Sequence, residues 1–272
     1  TGIVVNKGGE AANTACAASM LGLKTAFIGR AGKDMLSMKI IERIKECGVD
    51  VFCKRDDKEI AITMALAWGR DDRAFISSQG ANKGLSMKDI DEKVLERSRH
   101  VMRGGIWHTS KLLDVNWRIL KKAKGTGKRT SMNLAWDPMG WKRERKEKIF
   151  ECMRYTDLVF LNKEELKALC GRKKEKALLE KGAGVIGVHQ GAKGSRVVAE
   201  GVELEVPGLK VERMNSTGAG DVYNAAFIYG DRKEWDLEET ARFANTAAAM
   251  HVEREGDFLP KAREVRRRAR KG

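Results

Sequence analysis

A loop of small residues followed by a carboxylate, within residues 215–230, has the composition needed for phosphate chemistry. A strand-like run ending near Val211 leads into Thr217-Gly218-Ala219-Gly220, and a helix-like run from Val222 to Tyr229 follows, with Gly230 as its predicted end. Small residues let a backbone approach a ligand closely, and the first amides of a helix have no partner inside it. We therefore expect this loop to bind phosphate.

Asp221 follows the loop directly, where its carboxylate would repel a bound phosphate. A carboxylate in that place is expected to have a role of its own, such as taking a proton from an attacking hydroxyl. Loop, helix start and carboxylate together predict a phosphoryl-transfer site. Taken alone, however, Asp221 is more simply explained as a helix cap or as a favourable charge near the helix dipole. The rest of the chain decides between these two interpretations.

The composition predicts a globular protein with a substantial core. Its 272 residues allow one large α/β domain or two small ones, and 42% of them are hydrophobic, too many for a disordered chain. No apolar run approaches the ~20 residues that span a bilayer, and no signal peptide is visible. The five cysteines form no C-x-x-C pair and no metal-ligand spacing, which indicates thiols in a reducing cytosol. We therefore expect a cytoplasmic protein.

The chain is basic, with 53 lysines and arginines against 38 acidic residues and a net charge of +15. Such a surplus permits nucleic-acid binding without requiring it. The basic clusters lie mostly on predicted helix faces or loops and are mixed with glutamate, so solvated surface is the preferred interpretation. We do not expect a nucleic-acid partner, and Arg266-Arg267-Arg268 is the best candidate for a contact with an anion.

Strand-like and helix-like runs alternate along most of the chain. The predicted helices include Glu10–Leu21, Met35–Cys47, Val115–Lys124, Leu237–His251 and Lys261–Arg270. The predicted strands are Lys24–Gly29, His100–His108, Thr130–Leu134, Leu158–Leu161, Val185–His189 and Arg196–Ala199. This alternation predicts an α/β fold of three layers, α/β/α, in which helices cover both faces of a mainly parallel central sheet.

Residues 49–77 interrupt the alternation with short strands at Val51–Arg55, Ile60–Trp68 and Ala74–Ser77, separated by charged turns. This pattern is typical of a meander of hairpins. We therefore expect a small β lid outside the main sheet, inserted into a core formed by residues 1–48 and 78–272. The lid could cover the site.

Three motif matches are rejected because their context is wrong. Gly182–Gly187 match G-x-G-x-x-G, but they end a predicted helix and open a strand, whereas a dinucleotide fingerprint does the reverse. Gly125–Lys128 look like part of a P-loop, but Arg129 follows where Ser or Thr is required. His100 and His108 share a predicted strand without a companion carboxylate, so they are interpreted as ordinary histidines.

Three further segments support phosphoryl transfer when taken together with the loop. Gly8-Gly9 precede a predicted helix that carries Asn13 one turn from its start. Asn162-Lys163-Glu164-Glu165 begins where a strand ends, at the edge where α/β folds bind ligands. Gly191-Ala192-Lys193-Gly194 links two predicted strands. Taken alone, each has a simpler explanation: the first as a turn, the second as an acidic helix start and the third as a hairpin.

Together, these four segments resemble the ribokinase-like (PfkB) family of carbohydrate kinases. The family's N-terminal signature matches Gly8 to Gly32, and its C-terminal signature matches Asn215 to Phe227. Asn162–Glu165 is similar to its Asn-x-x-Glu motif, and Gly191–Gly194 to its nucleotide-loop turn. The resemblance covers nearly the whole chain in the family's order.

The resemblance implies an ATP- and Mg²⁺-dependent kinase. Asp221 would be the catalytic base that deprotonates the acceptor hydroxyl, and the amides of Gly218, Ala219 and Gly220 would form the anion hole for the transferred phosphoryl group. Asn162 and Glu165 would organise the phosphates and Mg²⁺, Glu165 partly through water.

Further roles follow from the same resemblance. The nucleotide would contact the backbone at Gly191, Lys193 and Gly194, and Asn245 would lie near the adenine. Gly9 and Asn13 would touch the phosphate acceptor. The lid would form dimer contacts, as it often does in the family, so we expect a homodimer.

The chain departs from the family in three places. Many members have Asp where this chain has Asn215, and that carboxylate helps to bind an activating monovalent cation, so K⁺ activation is left open. Members begin about thirty residues earlier, with a strand and an acceptor-binding Asp, so we expect that the N-terminal segment before Thr1 is missing. The segment Asn133–Pro138 offers no arginine for a substrate carboxylate, which disfavours ketodeoxygluconate as substrate.

The preferred hypothesis is an ATP-dependent kinase acting on a hydroxyl of a small sugar or sugar-like alcohol. A nucleoside kinase of the same family is the alternative within this class. A different class would be a non-catalytic member that binds a ligand or nucleic acid; retention of Asp221 and the whole anion loop disfavours it.

Overall fold

The computed structural model of the protein describes residues 6–68, 72–212, 216–254 and 257–270. Its strands are β1 Ala26–Ala31, β2 Asp50–Arg55, β3 Ile62–Trp68, β4 Asp72–Ser78, β5 His100–Arg103, β6 Arg129–Asn133, β7 Leu158–Asn162, β8 Val185–His189, β9 Ser195–Ala199 and β10 Val202–Val206. Its helices are α1 Glu10–Met20, α2 Met35–Glu46, α3 Glu92–Arg97, α4 Ser110–Leu113, α5 Asn116–Gly125, α6 Arg143–Met153, α7 Lys163–Cys170, α8 Lys174–Glu180, α9 Ala219–Arg232, α10 Leu237–Val252 and α11 Ala262–Ala269. Within the described ranges, no helix is both long and apolar enough to cross a bilayer.

Strands β5 to β10 form the central six-stranded sheet in the order β10-β9-β8-β7-β6-β5. Neighbouring strands from β5 to β8 run parallel, while β9 and β10 each run antiparallel to their preceding neighbour. Helices connect the parallel strands, because a parallel pair cannot be joined by a tight turn. The sheet is therefore mixed and mainly parallel, as predicted.

Strand β7 shows why the sheet has a helical layer on each face. Leu158 and Phe160 belong to a core that includes residues of α1, α9 and α10, whereas Val159 and Leu161 belong to a second core with residues of α5 to α8. Alternate side chains of a strand point to opposite faces, so a strand buried on both sides is apolar throughout. The predicted three-layer α/β/α fold is confirmed.

The segment predicted to be a meander contains one hairpin, not three hairpin-connected strands. β3 and β4 pair antiparallel, but β2 pairs in parallel with β1. Val51–Arg55 is a strand, as predicted, but its predicted place in a meander of hairpins was wrong. Helix α2 lies between β1 and β2, and a helical crossover returns the chain in the same direction.

Three other predicted boundaries differ from the structure. The strand predicted for His100–His108 ends at Arg103, because Gly105 adopts left-handed backbone (φ +65°) and turns the chain into a short 3₁₀ helix, Ile106–His108. The strand-like run ending near Val211 is not a strand over residues 207–212; the missed strand is β10, Val202–Val206. Gly230 does not end its helix, since α9 continues to Arg232.

Gly230 has a packing role instead. A Cβ at this position would lie 2.7 Å from the Thr240 hydroxyl oxygen in α10, so glycine permits close approach of the two helices.

The arginines of α11 have intramolecular contacts. The Arg266 guanidinium lies over the Trp235 ring at 4.8 Å, and Arg268 donates a 3.1 Å bond to Glu253. These contacts account for part of the basic cluster proposed as an anion contact.

Candidate active site

Asp221 lies in the first turn of α9, directly after the small-residue loop. Gly218 caps this helix in the left-handed conformation, at φ +85°. Asp221 is buried, and one of its carboxylate oxygens accepts a 2.9 Å hydrogen bond from the Asn13 side-chain amide. The packing of α1 against α9 thus joins the two predicted signatures in one site.

The pKa of the Asp221 carboxyl lies near neutral pH. This pKa is raised to about 8, chiefly by burial and, to a smaller extent, by the nearby carboxylates of Glu10 and Glu165. The hydrogen bond from Asn13 and the charge of Lys7 act in the opposite direction. A base whose pKa lies near the working pH can both accept a proton and release it, which suits general acid–base chemistry.

Glu10 is a site residue that we did not predict. It lies one turn before Asn13 on the same face of α1, and its Oε2 accepts bonds from the Gly105 amide (2.9 Å) and the Asn133 side-chain amide (3.4 Å). Both donors are neutral, and burial raises the pKa of Glu10. The signal in the sequence that could have identified Glu10 as a site residue was its position inside the Gly8–Ala15 signature.

Asn162 and Glu165 form a capping box at the start of α7, as their spacing suggests. The Glu165 amide donates to the Asn162 side chain (2.8 Å), while the Asn162 amide and side chain each donate to a different Glu165 oxygen (2.9 Å both). Burial raises the pKa of Glu165 to about 7, with Glu10 and Glu164 adding to the rise.

These carboxylates suit a hard cation such as Mg²⁺. The Glu10 carboxylate raises the pKa of both Asp221 and Glu165, and Glu165 raises the pKa of Asp221, so a cation near these groups would relieve their repulsion. Among the residues that the structure describes, no group of three or more His, Cys, Asp or Glu could hold a metal ion alone. Mg²⁺ would therefore also need phosphate oxygens of the nucleotide, the usual arrangement for this ion.

The predicted nucleotide turn lies at the same edge of the sheet. Asn162 and His189 pair in register, so β7 and β8 end side by side. The turn Gly191–Lys193 follows β8, and Gly194 adopts φ +97° with its α-carbon against the backbone of Val206 and Gly208. The carboxyl ends of these strands therefore meet where ligands bind in α/β folds.

Asn245 holds this turn in place. Its side-chain amide donates to the carbonyl oxygens of Val206 (3.0 Å) and Pro207 (3.3 Å), directly beside Gly194. The side chain that we expected near the adenine is thus bonded to the segment that supports the nucleotide turn.

The other predicted site residues lie at the starts of α1 and α9. Gly9 caps α1 with φ +94°, and its carbonyl accepts a 2.9 Å bond from the Asn13 amide. The Ala219 amide donates a 3.3 Å bond to Ser216, whereas Gly220 lies against the His189 ring. Asn215 lies outside the described residues.

His189 is a second residue that we did not predict in a site role. Its Nε2 lies 2.9 Å from the Asn224 side-chain oxygen, and its ring packs edge-on to Tyr223. Burial lowers the pKa of His189 to about 4, so the ring is neutral and donates to Asn224. The bond to Asn224 thus holds the His189 ring against Gly220.

Comparisons with known proteins give a consistent result. A family model described as "pfkB family carbohydrate kinase" matches residues 2–262. An ATP-dependent ribose-1-phosphate kinase of Halopiger xanaduensis is 26% identical over 251 residues, covering 92% of this chain and 81% of that protein. A 5-dehydro-2-deoxygluconokinase of Clostridium botulinum is 25% identical over 263 residues, covering 90% and 78%. The crystal structure of an adenosine kinase from Sinorhizobium meliloti superposes with a TM-score of 0.88 at 26% identity, covering 99% of this chain and 85% of that one.

Proposed function

The chain belongs to the pfkB family of carbohydrate kinases, and on this premise we propose that it transfers phosphate from ATP to a hydroxyl of an uncharged sugar or sugar-like alcohol. The observation that carries the proposal is the buried Asp221 carboxylate, which is bonded to Asn13 and lies at the start of the anion loop.

In the proposed reaction, Asp221 accepts the proton of the acceptor hydroxyl as the hydroxyl oxygen attacks the γ-phosphorus of ATP. The bond between that phosphorus and the β,γ-bridging oxygen breaks, and ADP leaves with the electron pair. The amides at Gly218 and Gly220 bind the oxygens of the transferred group, because amides at a helix start have no partner inside the helix. Mg²⁺, when bound, neutralises charge on the phosphates, and Glu165 with Asn162 would hold it, partly through water.

The choice of an uncharged acceptor rests on Glu10. This carboxylate lies one turn from Asn13, the residue proposed to touch the acceptor, and it interacts electrostatically with Asp221. A phosphate or carboxylate on the acceptor would add a further negative charge to this group of carboxylates. Arg103, which lies close enough to interact with Glu10, already bonds to Asn116, Gly104 and Thr109.

A nucleoside is the second candidate acceptor. Nucleosides are uncharged polyols, and the structural similarity to an adenosine kinase extends over 99% of the chain. A nucleoside acceptor requires room for a base in the pocket, whereas a sugar does not. The acceptor screen below distinguishes the two candidates.

We further propose that the chain divides into a core, residues 1–48 and 78–272, and a lid, residues 49–77, that pairs with the lid of a second copy. On the β3–β4 hairpin, Ile62, Met64, Leu66 and Ile76 share one face, and all four are exposed. Apolar groups clustered on a two-stranded hairpin are typical of an interface. The five unpaired thiols suit the reducing cytoplasm, where we place the protein.

The decisive experiment is a coupled ADP-release assay with ATP and Mg²⁺ over a panel of neutral sugars, nucleosides and anionic sugars. Asp221→Asn, which keeps the size and the Asn13 contact, is the matched control for Asp221→Ala. We expect turnover with at least one neutral acceptor and loss of turnover in both variants. Failure to release ADP with every acceptor in the panel would contradict the kinase proposal, and equal rates in wild type and Asp221→Asn would contradict the role of Asp221.

A further inference from the structure

His251, near the end of α10, makes two hydrogen bonds that a neutral ring cannot make together. Its Nε2 lies 2.8 Å from the Thr217 carbonyl oxygen, and its Nδ1 lies 2.6 Å from the Phe258 carbonyl oxygen. Carbonyl oxygens only accept hydrogen bonds, whereas neutral imidazole has a single N–H. Satisfying both contacts therefore requires the doubly protonated, positively charged ring.

One feature of the surroundings favours this positive charge and another opposes it. His251 lies in the last turn of its helix, where the backbone dipole stabilises cations. The ring is only 4% exposed, which disfavours the charged form, so the two carbonyl contacts must replace water around it. The two charged side chains that follow it in sequence have other partners: Glu253 bonds to Arg268, and Arg254 lies over the Phe258 ring at 4.0 Å. The charge of His251 is thus directed at the two carbonyls.

The His251 ring also lies next to Gly218 of the anion loop. A Cβ added to Gly218 would lie 3.3 Å from His251 Nε2 and 3.9 Å from the Asn13 side-chain nitrogen. The His251 ring and the Asn13 amide that bonds Asp221 are therefore both close neighbours of Gly218. Moving the His251 ring would change the position of the Thr217 carbonyl and with it the direction of the amides that follow.

We infer that His251 is a built-in cation and a positioning residue for the anion loop. By binding the Thr217 carbonyl, the charged ring orients the amides proposed to receive the transferred phosphoryl group; this role rests on the proposed kinase function.

The first test reads the protonation of His251 and needs no activity. The chain has four histidines, so ¹⁵N-labelled protein gives few ring signals, and the set that disappears in His251→Gln belongs to His251. We expect both ring nitrogens of His251 in wild type to carry a proton at neutral pH. A ring with one protonated and one bare nitrogen would overturn the inference whether or not the protein proves to be a kinase.

The second test uses turnover. We expect His251→Gln, which keeps one donor without the charge, to lose roughly 10²-fold in kcat with little change in the KM for ATP, because small displacements of catalytic groups have effects of this size. His251→Lys, which keeps a cation, should recover part of the loss. Equal kcat in all three proteins would overturn the inference.

Discussion

The side-chain amide of Asn13 donates a 2.9 Å hydrogen bond to the carboxylate of Asp221, although 208 positions separate the two residues in the chain. The bond joins the start of α1 to the start of α9, so the predicted acceptor residue and the predicted base form one unit. It also favours the ionised form of Asp221 against the effect of burial.

Removing that bond should shift the pH dependence of the reaction upward. In Asn13→Leu the ionised form of Asp221 loses a donor, so its pKa rises above the present value of about 8 and the acidic limb of kcat/KM moves to higher pH. A pH profile of kcat/KM measures this shift. Asn13→Ser, which keeps a short donor, is the control, and an unmoved limb in Asn13→Leu would contradict the prediction.

Glu10→Gln should have the opposite effect. The substitution keeps an oxygen for the Gly105 amide but removes the negative charge that raises the pKa of Asp221, so the acidic limb should move to lower pH. We also expect the ratio of kcat/KM for an anionic acceptor to that for its neutral analogue to rise about tenfold, the effect of ~1.4 kcal/mol. Unchanged discrimination would exclude Glu10 as a specificity residue while leaving the kinase function intact.

Gly194→Ala should damage the nucleotide turn. A Cβ there would lie 2.2 Å from the Val206 carbonyl oxygen, at a backbone φ of +97°. Gly201→Ala, at φ +69° in the β9–β10 turn with nothing within 4 Å of its Cβ, is the matched control and should cost only about 1 kcal/mol in the free energy of unfolding. Urea unfolding and the KM for ATP measure the difference. Equal effects of the two substitutions would contradict the prediction, because they would mean that the backbone around Gly194 can move to accommodate a Cβ.

Gly230→Ala should destabilise the protein although alanine is the better helix former. The new Cβ would lie 2.7 Å from the Thr240 hydroxyl oxygen and would force α9 and α10 apart, at a cost of about 1–3 kcal/mol. Gly125→Ala, at the end of α5 with nothing within 4 Å, is the control and should be neutral or stabilising. Thermal unfolding of both variants compares them. A stable Gly230→Ala variant would mean that the helices can repack.

The lid should determine the oligomeric state. We expect a dimer in sedimentation experiments, and Ile76→Lys, on the apolar face of the β3–β4 hairpin, should give monomers because it would bury a charge at the interface. Thr63→Lys changes the opposite face of the same hairpin and should leave the dimer intact. A wild-type monomer, or dissociation by Thr63→Lys alone, would contradict this interface.

The sequence by itself determined the layer architecture, the motif segments and Asp221. These features follow from short-range constraints: strand and helix periodicity, glycines at special backbone angles, and the Asn162–Glu165 spacing that forms a capping box. The same local signals failed at Gly230, because a glycine that ends a helix and one that lets two helices approach have the same appearance in sequence.

The tertiary structure alone decided how the side chains work together. Glu10 affects Asp221 only because α1 packs on α9, and Asn245 bonds to the segment beside Gly194 across 39 positions of the chain. The charge on His251 follows from two carbonyls, of Thr217 and Phe258, that no sequence pattern connects. Periodicity reports which face of an element is buried, whereas electrostatic coupling and double hydrogen bonds depend on distances of a few ångströms that exist only after the elements have packed.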